Sequence, residues 1–394
     1  MKLTTQFGYP FSVLATALGE VINDTSDVSF VDYAEMLKKD ETVASALEFF
    51  AYNVVNFLGE YAHPQKDLED FVKYNFENLE ESLERVLQDL VINITAYGFG
   101  VLEKVWEVKD GKLVLKKLVV LPSETCRFVL GEKGIEKVVQ IVVEKGKIEI
   151  PREKTMIVRI GKGIYGESKL RRIWRAYVFK RALFKFWAVA MERYAMPVAH
   201  GKTVDVDTLA EKLKTLWSEG IIATDPETEI SLLEPKNAMS EAYKEAIEYA
   251  NILIYRGLLL PQLLAGSERV GSYALGRIHL DLFLSSVKRF ASFIAENLID
   301  QVVAQILEYN FGRVETYGQF MQTTQPTADE LARLSQALNL LVNSGIVDPV
   351  SDNDWIRAML GFPEVKEKEE NEMEDAVWEA LGRSLSHIGR RKTE

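Results

Sequence analysis

The sequence is almost without cysteine: Cys126 is the only one in 394 residues. A lone thiol cannot close a disulfide within the chain or supply paired thiolates to a metal, and it suits a reducing compartment. Its setting, "SETCRFVL", reads as a half-buried strand position. Histidine is nearly as scarce. His63, His200, His279 and His387 are scattered, with no H-E-x-x-H and no pair at metal-ligand spacing, so no metal site is expected. No G-x-x-x-x-G-K-[ST] is present, which excludes a P-loop nucleotide site, and no G-x-S-x-G marks a nucleophile elbow. Acids are numerous but spread over helix faces, and no catalytic constellation stands out among them.

Positive charge is also in deficit. The formal net charge of −12 argues against a protein that grips nucleic acid over its whole surface, though a small part of the chain could still handle DNA. Uninterrupted apolar runs are missing too. The segment 252–266, "ILIYRGLLLPQLLAG", contains Arg256 and Pro261 and is too short to span a bilayer. The start, with one lysine and an apolar stretch broken by Pro10, is a poor secretory signal. These features lead us to expect a soluble cytoplasmic chain with no membrane partner.

What is present is enough apolar residue (47%) to build cores, in a length that suits two to three domains. Residues 31–58 and 66–97 have helical periodicity; in the second, Phe71, Phe76, Leu79, Leu83, Val86, Leu87 and Leu90 recur at three and four. Residues 99–160 alternate and are rich in Val and Ile, with turns at Asp110-Gly111 and Lys145-Gly146, so antiparallel β structure is expected. A long helix follows over 167–195. A small mixed unit covers 197–235, with strands at "VAHGK", "GIIAT" and "EISLLE" around a helix that Asp205 or Asp207 opens. Helices are expected at 238–256 and 272–309, separated by a loop with Pro261, Gly266 and Gly271. Two or three short helices occupy 326–361. Residues 364–375 hold seven acids against two lysines, the composition of a solvated or frayed helix.

Two local features bear on function. Gly161-Lys162-Gly163-Ile164-Tyr165-Gly166 is a literal G-x-G-x-x-G. A dinucleotide site needs a βαβ unit and an acid near the end of a second strand. Here the acid at the right distance, Glu192, falls inside the next helix, and the preceding strand belongs to an antiparallel set. The glycines are better read as a sharp turn from sheet into helix. The helix they introduce is basic: residues 161–195 hold nine bases and two acids. Leu170, Ile173, Trp174, Tyr177, Phe184, Ala188 and Met191 share one face, while Phe179 and Phe186 lie opposite, near Arg172 and Arg175. Aromatics on both sides call for neighbours on both sides, or for a central core helix. The rival functional readings are an enzyme or a monomeric nucleic-acid-binding protein that uses the 161–166 loop and this basic helix.

Five motifs, in order, resemble the portal proteins of tailed bacteriophages, specifically the Mu-like family. They are "VDYAEMLKKDETVASALEFFAYNVV", "ITAYGFGVLEKVWEV", "YGESKLRRIWRAYVFKRALFKFWAVAMERYAMPVAHGK", "GSYALGRIHLD", and "LARLSQALNLLVNSGI" followed by "WIRAMLGFPE". The third is the most specific: Gly-x-x-x-Leu-Arg opens a long helix that ends in a Glu-x-(Tyr/Phe)-x-x-Pro step and a short strand with Gly-Lys. The loop "LAGSERVGS" departs from the family, whose members often carry a Thr-rich stretch there.

The resemblance implies an α+β portal-type fold and a ring of about twelve subunits at one capsid vertex. Residues 1–165 and 272–321 would form a wing, 166–196 and 237–257 two stem helices, and 197–236 a small α/β clip inserted between them. Residues 258–271 would be a channel loop, and 322–394 a helical crown with an acidic tail. Double-stranded DNA would pass through the channel, with Ser267, Arg269 and Ser272 nearest to it. Lys202, Asp225 and Pro226 on the clip would meet the motor and tail, and Gly161, Gly163 and Gly166 would join wing to stem. The implied partners are the terminase large subunit, which supplies the ATPase, the major capsid protein and a head–tail adaptor. The location would be the virion, with assembly in the host cytoplasm. The resemblance implies no catalysis, cofactor or metal.

Overall fold

The computed structural model describes residues 28–132, 134–195, 198–202, 206–209, 229–233, 238–260, 273–321, 328–349 and 351–360. They belong to two units, Met1–Phe320 and Met321–Glu394.

The first unit opens with α1 (Phe30–Lys39) and α2 (Glu41–Asn56). Apolar periodicity runs through 31–58 without a break, yet the chain turns at Asp40, whose backbone is extended at φ −112° and ψ 112°. Asp40 ends α1, and its carboxylate starts α2 by accepting from the Val43 N–H at 2.9 Å. The 66–97 stretch divides in the same way. Asn78 closes α3 (Lys66–Glu77), and Ser82 caps α4 (Leu83–Tyr97). Between α2 and α3, β1 (Glu60–Ala62) pairs with β10 (Gln319–Met321).

Helix α4 stops at Gly98, which is left-handed at φ 87°, and the chain continues as β2 (Phe99–Lys109). Strand β2 is the middle of an antiparallel sheet, between β3 (Lys112–Leu121) and β7 (Thr155–Arg159). Asp110 and Gly111 both take positive φ, 51° and 75°, the two-residue turn whose twist matches a hairpin. Strands β4 (Cys126–Gly131), β5 (Gly134–Val142) and β6 (Gly146–Pro151) form a separate antiparallel sheet. The 99–160 region is therefore two sheets, with the second inserted between two strands of the first. Cys126 is fully enclosed instead of half-buried, and burial pushes its thiol up to about 11.

Two long helices follow, α5 (Leu170–Ala195) and α6 (Ala238–Gly257). The segment between them contains the antiparallel pair β8 (Val198–Lys202) and β9 (Glu229–Leu233). The expected "GIIAT" strand and most of the expected helix beside it lie outside the described residues. Helix α7 (Tyr273–Leu298) runs on through a π turn, Ile299–Val303, into α8 (Ala304–Phe311). The stretch Leu280–Phe311 is long and apolar enough to cross a membrane by length and composition. Here Val287, Ala291, Ile294, Leu298, Val302, Val303, Ile306 and Leu307 are instead buried in one core with α2, α4, β2 and the start of α5. Each of the Val, Leu and Ile side chains contributes about 1.5–3 kcal/mol by leaving water, and Ala291 less.

The π turn anchors this helix to the sheet. The Gln301 carbonyl accepts from Lys104 Nζ at 2.6 Å. Its side-chain oxygen accepts from Arg152 at 2.8 Å and from the Ile157 N–H at 3.0 Å, and its amide donates to the Ile157 carbonyl at 3.1 Å. Lys104 is buried, which pushes its ammonium down to about 8, with help from the nearby Arg152 charge.

The second unit contains α9 (Ala328–Asn343) and α10 (Asn353–Leu360). The acidic stretch 364–375 lies outside the described residues.

A second polar anchor joins α5 to the start of α2. The Lys180 side chain is 1% exposed, and its Nζ lies 3.0 Å from Asp40 Oδ2, 2.7 Å from Glu41 Oε1 and 2.9 Å from Thr42 Oγ1. Lys180→Met strands the buried Asp40 carboxylate and should lower the unfolding free energy by about 3–5 kcal/mol. Lys180→Met with Asp40→Asn removes both charges and should recover more than half of that loss. Urea unfolding of the three proteins measures both effects.

Candidate functional site

The connection from β7 to α5 is built on backbone contacts. Gly161, Gly163 and Gly166 have φ of 78°, 88° and 69°, a region that costs a side-chain-bearing residue about 1–2 kcal/mol. Gly166 and Gly98 also touch. A Cβ on Gly166 would stand 2.3 Å from the Gly98 carbonyl oxygen, and one on Gly98 would stand 2.6 Å from the Glu167 nitrogen. The Ile160 N–H donates to the Gly98 carbonyl at 2.9 Å, and the Glu167 N–H donates to the Ile160 carbonyl at 2.7 Å. Ser168 then begins α5: its hydroxyl donates to the Ala96 carbonyl and accepts from the Leu170 N–H at 3.1 Å. The turn is thereby fastened to the end of α4.

Side chains complete the joint. Tyr165 stacks on Phe128 at 4.9 Å and meets Phe99 and Phe30 at 5.3 and 5.4 Å. The Lys169 ammonium sits over the rings of Phe50 and Phe290, at 4.5 and 5.4 Å, and burial beside Arg172 pushes it down to about 8.

This geometry is unsuited to a phosphate. The amides a phosphate would need are used within the turn: Gly166 donates to the Gly163 carbonyl, Glu167 to the Ile160 carbonyl, and Lys162 to the Glu167 carboxylate. That carboxylate lies where a phosphate would have to come. Among the described residues, no three His, Cys, Asp or Glu side chains converge as a metal site requires.

Helix α5 changes character along its length. Leu170, Ile173, Ala176, Tyr177, Val178 and Lys180 are buried in the common core. From residue 181 to 191 every position is at least partly exposed, including Phe184 and Met191. The first half is thus a core helix and the second half projects from it. Helix α6 runs back along α5 to Gly257, where a Cβ would stand 2.3 Å from Ile173 Cγ2.

Of the residues expected to contact a motor, a tail or DNA, the described part of the structure includes Lys202 alone. Lys202 ends β8 and forms an exposed cross-strand pair with Glu229 at 3.3 Å. Asp225 and Pro226, like Ser267, Arg269 and Ser272, lie outside the described residues. Sequence reading missed Gly98, although a glycine just past a helical pattern is a recognisable C-cap signal. It also missed the partners of Lys180 and Gln301, which lie far off in the chain and leave no local trace.

The described residues form helices and antiparallel sheets with a projecting helix pair. A sequence model of one family, described as portal protein of Mu bacteriophage, matches residues 32–362. The chain belongs to this family, whose members are structural proteins. None of the curated proteins compared matches it. Its fold is similar to chains of a gene transfer agent (GTA) particle. Against the neck of the empty particle computed with C6 symmetry, the TM-score is 0.64 at 14% identity, over 90% of this chain and 99% of the other. Against the virion of the native particle it is 0.61, with the same identity and coverage. Against the native neck computed with C12 symmetry it is 0.59, again with the same identity and coverage.

The crowding at Gly166 and the open space at Gly163 separate two costs. Gly163→Ala should cost about 1–2 kcal/mol, because only the left-handed backbone is penalised. Gly166→Ala adds a clash with backbone oxygens and should cost more, lowering the melting temperature well beyond the Gly163 variant. Calorimetry of the two purified variants makes the comparison; equal losses would remove the Gly98–Gly166 contact from the account.

Proposed function

We propose that the chain is one subunit of a portal ring, the channel at a single capsid vertex through which double-stranded DNA enters and leaves. The observation that carries this reading is the family match over 32–362. The fold likeness to GTA chains, one of them from a neck computed with C12 symmetry, supports a ring of about twelve copies. Residues 1–165 and 272–321 serve as the wing, α5 and α6 as the stem, 197–236 as the clip and 322–394 as the crown. The clip, with Lys202, Asp225 and Pro226, docks the terminase motor and then the head–tail adaptor, while the wing faces the major capsid protein.

The net charge of −12 suits this task. Each phosphate neutralised by a fixed base adds affinity, and a strand that must move is hindered by tight contacts. An acidic ring confines DNA by repulsion. In this reading Ser267, Arg269 and Ser272, on the loop 258–271, supply brief contacts. Motion is driven by a separate ATPase.

Native mass measurement tests the assembly: a particle near twelve times 44.7 kDa is expected, and a monomer that persists at high concentration would refute the ring. Arg269→Glu tests the channel. One exposed Arg–phosphate contact is weak and salt-screened, but a circle of them centres DNA. The variant should form the ring normally and lose much of its DNA packaging or retention. Wild-type packaging by the variant ring would exclude Arg269 from the channel's work.

A further inference from the structure

The projecting parts of α5 and α6 carry opposite charges at the same height. The Gly257–Ile173 contact sets the register of this antiparallel pair. Glu245 lies twelve residues before Gly257, and Lys185 lies twelve residues after Ile173. At about 1.5 Å per residue both stand roughly 18 Å from the contact. Both are exposed, and neither has an ion-pair partner among the described residues.

Each also lies well round its helix from the side that meets the other helix. At 100° per residue, Lys185 is about 120° from Ile173, which touches α6, and Glu245 is about 160° from the buried Ile247. The buried Val178, near the azimuth of Lys185, sits about two turns nearer the core. Around Glu245 the face carries the exposed Glu241, Glu248, which pairs with Lys244 at 3.8 Å, and Tyr249 at 54% exposure, so it stays net acidic. Around Lys185 the face offers small side chains, Ala182 and Val189, and the guanidinium of Arg175 lies further up the helix.

We infer that the Lys185 face of α5 docks against the Glu245 face of α6 in the next copy of this chain. The inference rests on the ring reading above. A rotation axis running along the helices keeps heights unchanged, so residues at equal height on the two faces meet between neighbours. Tyr249, eight residues before Gly257, reaches the level of Arg181 and Ala182, where the small alanine gives its ring room. The contact is head-to-tail, with two different faces used by every copy, which is the arrangement that closes a ring. The acidic face is what favours a second copy over DNA as occupant, because DNA would be attracted to one face and repelled by the other. A single exposed pair is worth little, but like charges placed face to face are disfavoured, so the pair acts mainly by selecting register.

Charge exchange tests this. Lys185→Glu and Glu245→Lys should each raise the protein concentration for half-assembly by about tenfold or more, read by mass photometry at low salt. The double variant should return it to near the wild-type value. Both positions are exposed, so thermal unfolding of the unassembled chain should stay unchanged. A second measurement needs no variant: carbodiimide treatment of rings mixed from isotope-labelled and unlabelled chains should yield a Lys185–Glu245 link between the two kinds of chain. Normal assembly of both single variants, failure of the double variant to recover, or absence of the mixed link from an intact ring would each overturn the inference and leave the ring reading standing. A Lys185→Glu ring that assembles normally but loses DNA would assign the face to DNA instead. A wild-type chain that never assembles would defeat the ring and this interface together.

Discussion

One buried ammonium holds three helices in relation to each other. Lys180 brings its charge to the Asp40 carboxylate, to Glu41 and to Thr42. Asp40 is at once the break between α1 and α2 and the cap of α2, and Thr42 extends the network to Asn251 on α6 at 3.1 Å. Apolar contacts drive collapse but leave helices free to slide by a turn. A buried charge does not allow this, because each position but one leaves it unpaired in a medium of low dielectric. Where α5 leaves the core, and at what angle to α6, thus depends on a group that contributes little net stability.

The joint at Gly98 and Gly166 adds a constraint of another kind. Two chain segments meet backbone to backbone, with no side chain between them to yield. The same turn that resembles a nucleotide motif in sequence has its amides occupied by its own carbonyls and by Glu167. A glycine pattern records where the backbone must pass through the left-handed region or come close to another strand. What the freed amides then bind is decided by the neighbours.

Much of the architecture was legible in the sequence because it is local. The long helices at 170–195 and 238–257, the hairpin turn at Asp110-Gly111 and the strands at 198–202 and 229–233 follow from periodicity and turn chemistry. Helix breaks were not legible. The apolar stripes of 31–58 and 66–97 run through Asp40 and residues 78–82, since neighbouring helices packed on one core share a stripe. The exposure of α5 beyond residue 181 was hidden for a similar reason: its aromatics continue at the same spacing, whether a core or a neighbouring copy is to cover them. The division of 99–160 into two sheets depends on β7 returning to β2 across more than fifty residues, and no local pattern carries that information. Of the candidate site, the glycine turn and the two long helices could be read, and the projection of those helices and the partners of Lys180, Gln301 and Lys169 could not.

The π turn at Ile299–Val303 is best understood as a correction of phase. A helix that must follow one core for some forty residues drifts in azimuth, since its apolar rows and the surface it covers rarely share a period. One extra residue in a turn rotates everything on one side of it by about 100° relative to the other. Without that surplus, the face formed by Val287, Ala291, Ile294 and Leu298 and the face formed by Val302, Val303, Ile306 and Leu307 could not both be turned to the same interior. Gln301, inside this turn, gives its carbonyl to Lys104 and its side chain to Ile157, so the turn that resets the helix also fixes it to the sheet.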